Sequence, residues 1–152
     1  MGTKIVGESN EIEYSTPNKI VLPLIEEFNL KVDVCASVTN YKLPQYWTKK
    51  DNALVKSWKD NCWMNPPFGR DLNKWVRKAY KETVLFGGNK VCLIPVRSNT
   101  KWWAEVSPHS EIRFINGEVS FNDEKRGLWL PMCIMIFGDK AKTKTFSIIN
   151  YR

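Results

Sequence analysis

At 152 residues, residues 1–152 have room for a single compact domain and little more, and an apolar fraction of 43% is enough to bury a core, which excludes a disordered chain. Lys and Arg outnumber Asp and Glu by 23 to 16, a formal net charge of +7 that favours a polyanionic partner over a neutral one. The positive charges form no amphipathic helix or lysine-rich tail, so nucleic acid is preferred to a membrane surface, with a merely basic, non-binding surface as the bland alternative.

The four cysteines, Cys35, Cys62, Cys92 and Cys133, have no close metal-ligand spacing, and three sit in apolar, strand-like runs. This argues for reduced, mostly buried thiols, for no metal, and for a cytoplasmic protein. No signal-peptide core or bilayer-spanning stretch is present, so no membrane association is expected.

In chain order, the first dozen residues are polar and read as loosely ordered. Ser15-Thr16-Pro17 is a helix-start signal, with a capping hydroxyl and a proline for the first turn. Ile20, Val21, Leu24, Ile25 and Phe28 follow at helical spacing, interrupted by Pro23, which predicts a kinked or late-starting helix. Lys31 to Val34 and Cys62 to Met64 read as short strands. Leu72, Trp75, Val76, Ala79, Tyr80 and Val84 are assigned to one helical face, stopped by Gly87-Gly88. Val91 to Val96 has buried-strand character, and a short helix carries Trp102 and Trp103, both read as core. Ile112 to Ile115 and Val119 to Phe121 flank Asn116-Gly117, which predicts a tight hairpin. Met132 to Phe137 is a strongly apolar strand, and Thr143 to Ile149 a last one. Helices between early strands and a strand-rich end predict an α/β sandwich with a mixed sheet, whose ligands collect beyond the carboxyl ends of the strands.

The segment after Met64 is Asn65-Pro66-Pro67-Phe68-Gly69. Two prolines stiffen the loop and remove two backbone donors. The Asn65 amide oxygen and the Pro66 carbonyl are then acceptors beside the flat face of Phe68, an arrangement suited to an aromatic ring bearing an NH2 group. The bland alternative is a plain proline-rich turn.

This segment resembles the catalytic motif of amino-methyltransferases acting on adenine N6, some cytosine N4 and some protein glutamines. Further segments, in order, are similar to the phage-type DNA adenine methyltransferase (Dam-like) family. They are Ser15-Thr16-Pro17, Asp33-Val34-Cys35-Ala36-Ser37, Tyr46-Trp47-Thr48 with Asp51-Asn52-Ala53-Leu54 and Trp58, Pro95-Val96-Arg97-Ser98 with Trp102-Trp103, and Phe114-Ile115-Asn116-Gly117 with Phe121. The likeness runs from about Tyr14 to Gly138. It implies a trimmed, Rossmann-like sandwich with antiparallel C-terminal strands, S-adenosylmethionine as cofactor, DNA as partner, and a host-cell cytoplasmic location if the chain is phage-encoded. Carried over, Asn65 and Pro66 accept the hydrogens of the target amine, on the loop stiffened by Pro67, and Phe68 stacks on a flipped base.

For the cofactor the resemblance implies Asp33 with the small residues Cys35 and Ala36, Asp51 with Leu54 against an adenine ring, and Thr16 and Pro17 as the opposite wall. Alone, Asp33 reads as a cap and Asp51 as a solvated acid. Arg97 is assigned equally to a DNA phosphate or a structural ion pair, and Lys49 and Lys50 to a DNA path or a solvated face. His109, the sole histidine, reads as a surface residue. No glycine-rich loop follows the first strand. That departure keeps a non-catalytic DNA-binding descendant as the rival of a different class, beside transfer to cytosine N4, RNA adenine or protein glutamine. The chain has no room for a large recognition domain, so loops or a second copy in a homodimer must read the bases.

Overall fold

The two longest apolar runs, Asn89–Pro95 (β4) and Met132–Gly138 (β6), form the centre of the molecule. A computed structural model describes residues 15–121 and 130–150, and the expectation for the first dozen residues lies outside them. β4 and β6 pair antiparallel from Asn89 opposite Gly138 to Pro95 opposite Met132. Nearly every residue of both strands is buried, as strands covered on both faces must be. Gly138 is dictated by the crossing: its φ is +129°, and a Cβ there would lie 2.1 Å from the Gly88 carbonyl oxygen.

Around this pair the sheet is completed by Val32–Asp33 (β1), Gln45–Tyr46 (β2), Cys62–Met64 (β3), Glu111–Asn116 (β5) and Thr145–Asn150 (β7). The seven described strands run in the order β2-β1-β3-β4-β6-β5-β7. Three α-helices among the described residues, Asn18–Phe28 (α1), Leu72–Phe86 (α2) and Lys101–Val106 (α3), cover the sheet. Alternation along the strands sorts the core into two layers. Cys92, Ile94, Cys133, Met135 and Phe137 meet Val76 and Ala79 of α2 and Trp102, Trp103 and Val106 of α3. Val91, Leu93, Ile134 and Ile136 meet Val21, Leu24 and Phe28 of α1 from the other side. Trp102 and Trp103 are core, as expected, and the four cysteines are free thiols, with Cys62, Cys92 and Cys133 buried.

The mixed α/β class agrees with the sequence reading, with four corrections in detail. Only β6 runs against the rest, because β7 pairs parallel with β5, so the C-terminal strands are not all antiparallel. No hairpin forms about Asn116-Gly117: β5 already has β6 on one side and β7 on the other, and Val119 and Phe121 drop into the core beside α1. Val84 is 67% exposed; at 100° per residue it stands about 120° around the helix from Leu72. α1 begins ahead of Pro23, at Asn18, with Pro17 at its N-cap and no side-chain cap. The exposed ring of Pro23 is accommodated on the solvent side.

Between β2 and β3 the chain is fixed by a buried polar knot. Glu82 of α2 accepts from the Trp58 amide at 2.8 Å and from Lys78 Nζ, and Trp58 Nε1 donates to the Ala53 carbonyl at 2.9 Å. This long connection is thereby bound to α2.

Candidate active site

β1, β2, β3, β4 and β5 all point the same way, so the segments that follow them gather along one edge. α1 runs opposite to the strands and brings the residues before its first turn to the same edge. The site is assembled there from five places in the chain.

Asn65 follows β3. It is half-buried, its Oδ1 lies inside the protein, and its Nδ2 donates to Thr16 Oγ1 at 3.1 Å. Thr16 is 2% exposed. The predicted capping hydroxyl is therefore engaged by the loop after β3, while the helix start is left to Pro17. Pro66 is buried and Pro67 half-buried. Phe68, also half-buried, meets Phe121 edge-on with ring centroids 6.0 Å apart and packs into the α1 layer of the core.

Asp33 ends β1. It stands across from Trp63 in the neighbouring strand, two residues before Asn65. Its carboxylate is buried, with Oδ1 accepting from the Cys35 amide at 3.2 Å and Oδ2 from the Lys42 amide at 2.9 Å. Burial pushes its pKa up from the ordinary 3.8 to about 6, against the lowering effect of those two hydrogen bonds and of the Lys42 charge. Lys42 Nζ reaches on to Ser15 Oγ at 3.3 Å, so the loop after β1 is tied to the start of α1. Ala36 donates its amide to the Trp47 carbonyl at 2.9 Å, and Cys35 lies half-buried beside it, its thiol pKa raised by burial.

Asp51 and Leu54 lie further out, beyond β2. Asp51 is exposed and closes a turn, its Oδ2 accepting from the Thr48 amide at 2.8 Å and the Thr48 hydroxyl at 3.2 Å. The Thr48 amide holds this carboxyl below its usual range. Leu54 is half-buried in a 3₁₀ turn, and Lys49 and Lys50 are exposed on the neighbouring turn. No hydrogen bond joins Asp51 to Asp33 or Asn65. An open groove lined by Tyr41, Lys42, Leu43, Pro44 and Tyr46 lies at this end of the edge.

After β4 comes Arg97, half-buried, with Nη1 donating to the Val96 carbonyl at 3.3 Å and no ion pair among the described residues. Thr100 folds back on the Arg97 carbonyl and caps α3. His109 is exposed away from these loops, stacked on Tyr80 at 4.8 Å.

The edge thus brings together Thr16, Pro17, Asp33, Cys35, Ala36, Asn65, Pro66, Phe68 and Arg97, with Asp51, Leu54, Lys49 and Lys50 at its outer end. The sequence reading missed the Lys42 amide as a partner of Asp33, for which no local signal exists. It also missed Phe121 as a neighbour of Phe68, because Phe121 was assigned to a strand. No group of three or more His, Cys, Asp or Glu able to hold a metal occurs among the described residues. No helix among them is long and apolar enough to cross a membrane.

Two comparisons bear on this geometry. Residues 4–148 match the family model described as DNA N-6-adenine-methyltransferase (Dam). The chain is also similar to the DNA N-6-adenine-methyltransferase of Haemophilus phage HP1 (strain HP1c1), 30% identical over 146 residues that cover 88% of this chain and 83% of the relative.

Proposed function

Since the chain belongs to the DNA N-6-adenine-methyltransferase (Dam) family and is an adenine-specific DNA methyltransferase, we propose that methyl transfer takes place at the carboxyl edge of the sheet, on the Asn65–Phe68 loop. The observation that carries this reading is Asn65 itself. Its amide is held by buried Thr16 at the end of β3, three residues ahead of Phe68.

The exocyclic nitrogen of adenine is a poor nucleophile because its lone pair is delocalised into the ring. In this proposal Asn65 Oδ1 and the Pro66 carbonyl accept its two hydrogens, which favours a geometry with the lone pair directed off the ring. Pro67 keeps the loop stiff, so little reorganisation accompanies the reaction. Phe68 stacks on the target base. Lifting a base from the duplex costs a few kcal/mol, and stacking returns roughly 1–3 kcal/mol of it. No covalent enzyme intermediate is needed; placement supplies the rate.

Membership of the family requires a methyl donor, and the residues present fit S-adenosylmethionine. A buried carboxylate at a strand end, held by two backbone amides and followed by small residues, matches a ligand carrying amino and hydroxyl groups. Asp33, Cys35 and Ala36 would hold it, with Thr16 and Pro17 as the far wall and Asp51 with Leu54 at the outer end. When bound, it supplies a methyl group on a positively charged sulfur. Asp33 would hold it without a glycine-rich loop, its carboxylate oriented by the Cys35 and Lys42 amides. The seven-strand sheet is accordingly read as a trimmed Rossmann-like methyltransferase sandwich, one domain over residues 1–152, working in the cytoplasm. Arg97, Lys49 and Lys50 are assigned to DNA phosphates. The flanking bases are read by loops or by a second copy in a homodimer.

The test is transfer from labelled S-adenosylmethionine to unmethylated DNA, with nucleosides resolved afterwards. N6-methyladenine is expected. Label in cytosine, RNA or protein instead would overturn the assignment, as would an absent product together with no cofactor binding by calorimetry.

A further inference from the structure

Thr16 lies 49 residues from Asn65 in the chain, yet its hydroxyl takes the Asn65 Nδ2 hydrogen at 3.1 Å in a position 2% exposed. Resting on the role proposed for Asn65, we infer that Thr16 is a positioning residue that holds the Asn65 amide by its NH2 end, in the orientation that turns the oxygen end to the substrate amine.

A primary amide is nearly two-fold in shape but not in chemistry: the oxygen accepts and the nitrogen donates. The adenine amino group presents donors. If the amide were turned, donor would face donor and no hydrogen bond could form. The productive orientation therefore sends the NH2 toward Thr16, where it needs an acceptor, because a buried N–H without one is strongly disfavoured. Thr16 Oγ1 is that acceptor. Its place is fixed from both sides. Pro17 follows and leads into α1, which is anchored by Val21, Leu24 and Phe28. Ser15 precedes it and accepts from Lys42 Nζ. A capping role does not account for Thr16, since α1 has no side-chain cap.

The experiment compares Thr16→Val, which keeps the shape and removes the acceptor, with Thr16→Ser, which keeps the hydroxyl. Single-turnover methyl transfer is measured at saturating DNA and S-adenosylmethionine, alongside KM for DNA, S-adenosylhomocysteine affinity and Tm. The expected result is a rate about 10- to 100-fold lower in Thr16→Val. KM for DNA and Tm should stay near wild type, any loss of analogue affinity from the pocket wall should be smaller than the loss of rate, and Thr16→Ser should return to within about threefold. Thr16→Ala, which removes the same acceptor without added bulk, is expected to follow Thr16→Val and serves if that variant folds poorly. An undiminished rate in both overturns the inference. So does a loss that appears only as weaker analogue binding, which would leave Thr16 with no role beyond the cofactor wall, or a loss that Thr16→Ser does not repair. Asn65→Ala separates the two levels: retained turnover there removes the Asn65 reading itself, whereas loss there with full activity in Thr16→Val removes only the role of Thr16.

Discussion

Asp33 is a carboxylic acid that the fold holds in its charged form at neutral pH at a cost to stability. Its pKa is raised by burial from 3.8 to about 6. Because the folded value lies above the unfolded one, the folded chain binds the proton more tightly across that interval. Stability present below about pH 4 is therefore lost as pH rises through about 6. The gap between the two values, at about 1.4 kcal/mol per pH unit, comes to about 3 kcal/mol. The measurement is the unfolding free energy in denaturant of the wild type and of Asp33→Asn between pH 4 and pH 7.5. The substitution also disturbs the bonds from Cys35 and Lys42, but that effect is a constant offset. The wild-type minus variant difference should fall by about 2.5 kcal/mol across this window with rising pH and level off above pH 7. A flat difference, or one that rises, refutes the burial argument. Ligand binding supplies a second arm: if charged Asp33 holds the cofactor, S-adenosylhomocysteine should bind the wild type about tenfold more weakly at pH 5 than at neutral pH. The variant should lack that dependence.

Asn65→Ala should lower the transfer rate by about 10²–10³-fold or more with S-adenosylhomocysteine affinity almost unchanged by calorimetry; ordinary turnover would remove Asn65 from the chemistry. Phe68→Ala should weaken binding of DNA carrying a mismatched target adenine by about 1–3 kcal/mol, and unchanged affinity in a binding titration would rule out stacking. Arg97 has no ion pair among the described residues, so Arg97→Ala should leave Tm unaltered while reducing the salt slope of DNA binding by about one. Glu82 is nearly sealed against Lys78 and the Trp58 amide, so Glu82→Ala should cost about 3 kcal/mol or more in denaturant unfolding while specific activity of the folded fraction is kept.

The strands at the centre of the sheet were legible because their burial is written into unbroken apolar runs: Cys62 to Met64 and Met132 to Phe137 coincide with β3 and β6 to within a residue. The loop after β3 was legible too, since two prolines restrict it whatever surrounds it. What failed was non-local. Asn116-Gly117 has hairpin chemistry, but β5 had both edges taken by strands from later in the chain. Thr16 has the chemistry of a cap, and no local pattern tells that Asn65 will arrive beside it. Nor does any periodicity mark Lys42, whose contribution to Asp33 is a backbone amide and hence independent of its side chain. Glu82 shows the same limit in the core: it falls among apolar positions of α2 as a lone acid, and only the fold supplies Lys78 and Trp58 as partners.

The place of β6 has a consequence for how the chain matures on the ribosome. β1, β3 and β4 can pair as they emerge, but the neighbours of β5 in the sheet are β6 and β7, both synthesised after it. An N-terminal nascent chain therefore carries Glu111–Asn116 as a strand with both hydrogen-bonding edges open until Met132–Gly138 arrives to bridge it to β4. Ribosome-bound chains from which β6 has not emerged should expose both edges of this strand to chaperones and proteases, and chains past Gly138 should keep one edge exposed until Thr145–Asn150 follows. The loops after β1 and β3 are translated early, yet Phe121, which backs the stacking ring, lies downstream of β5. Pairing of β6 is thus the step that joins β5 to the strands already assembled around β4.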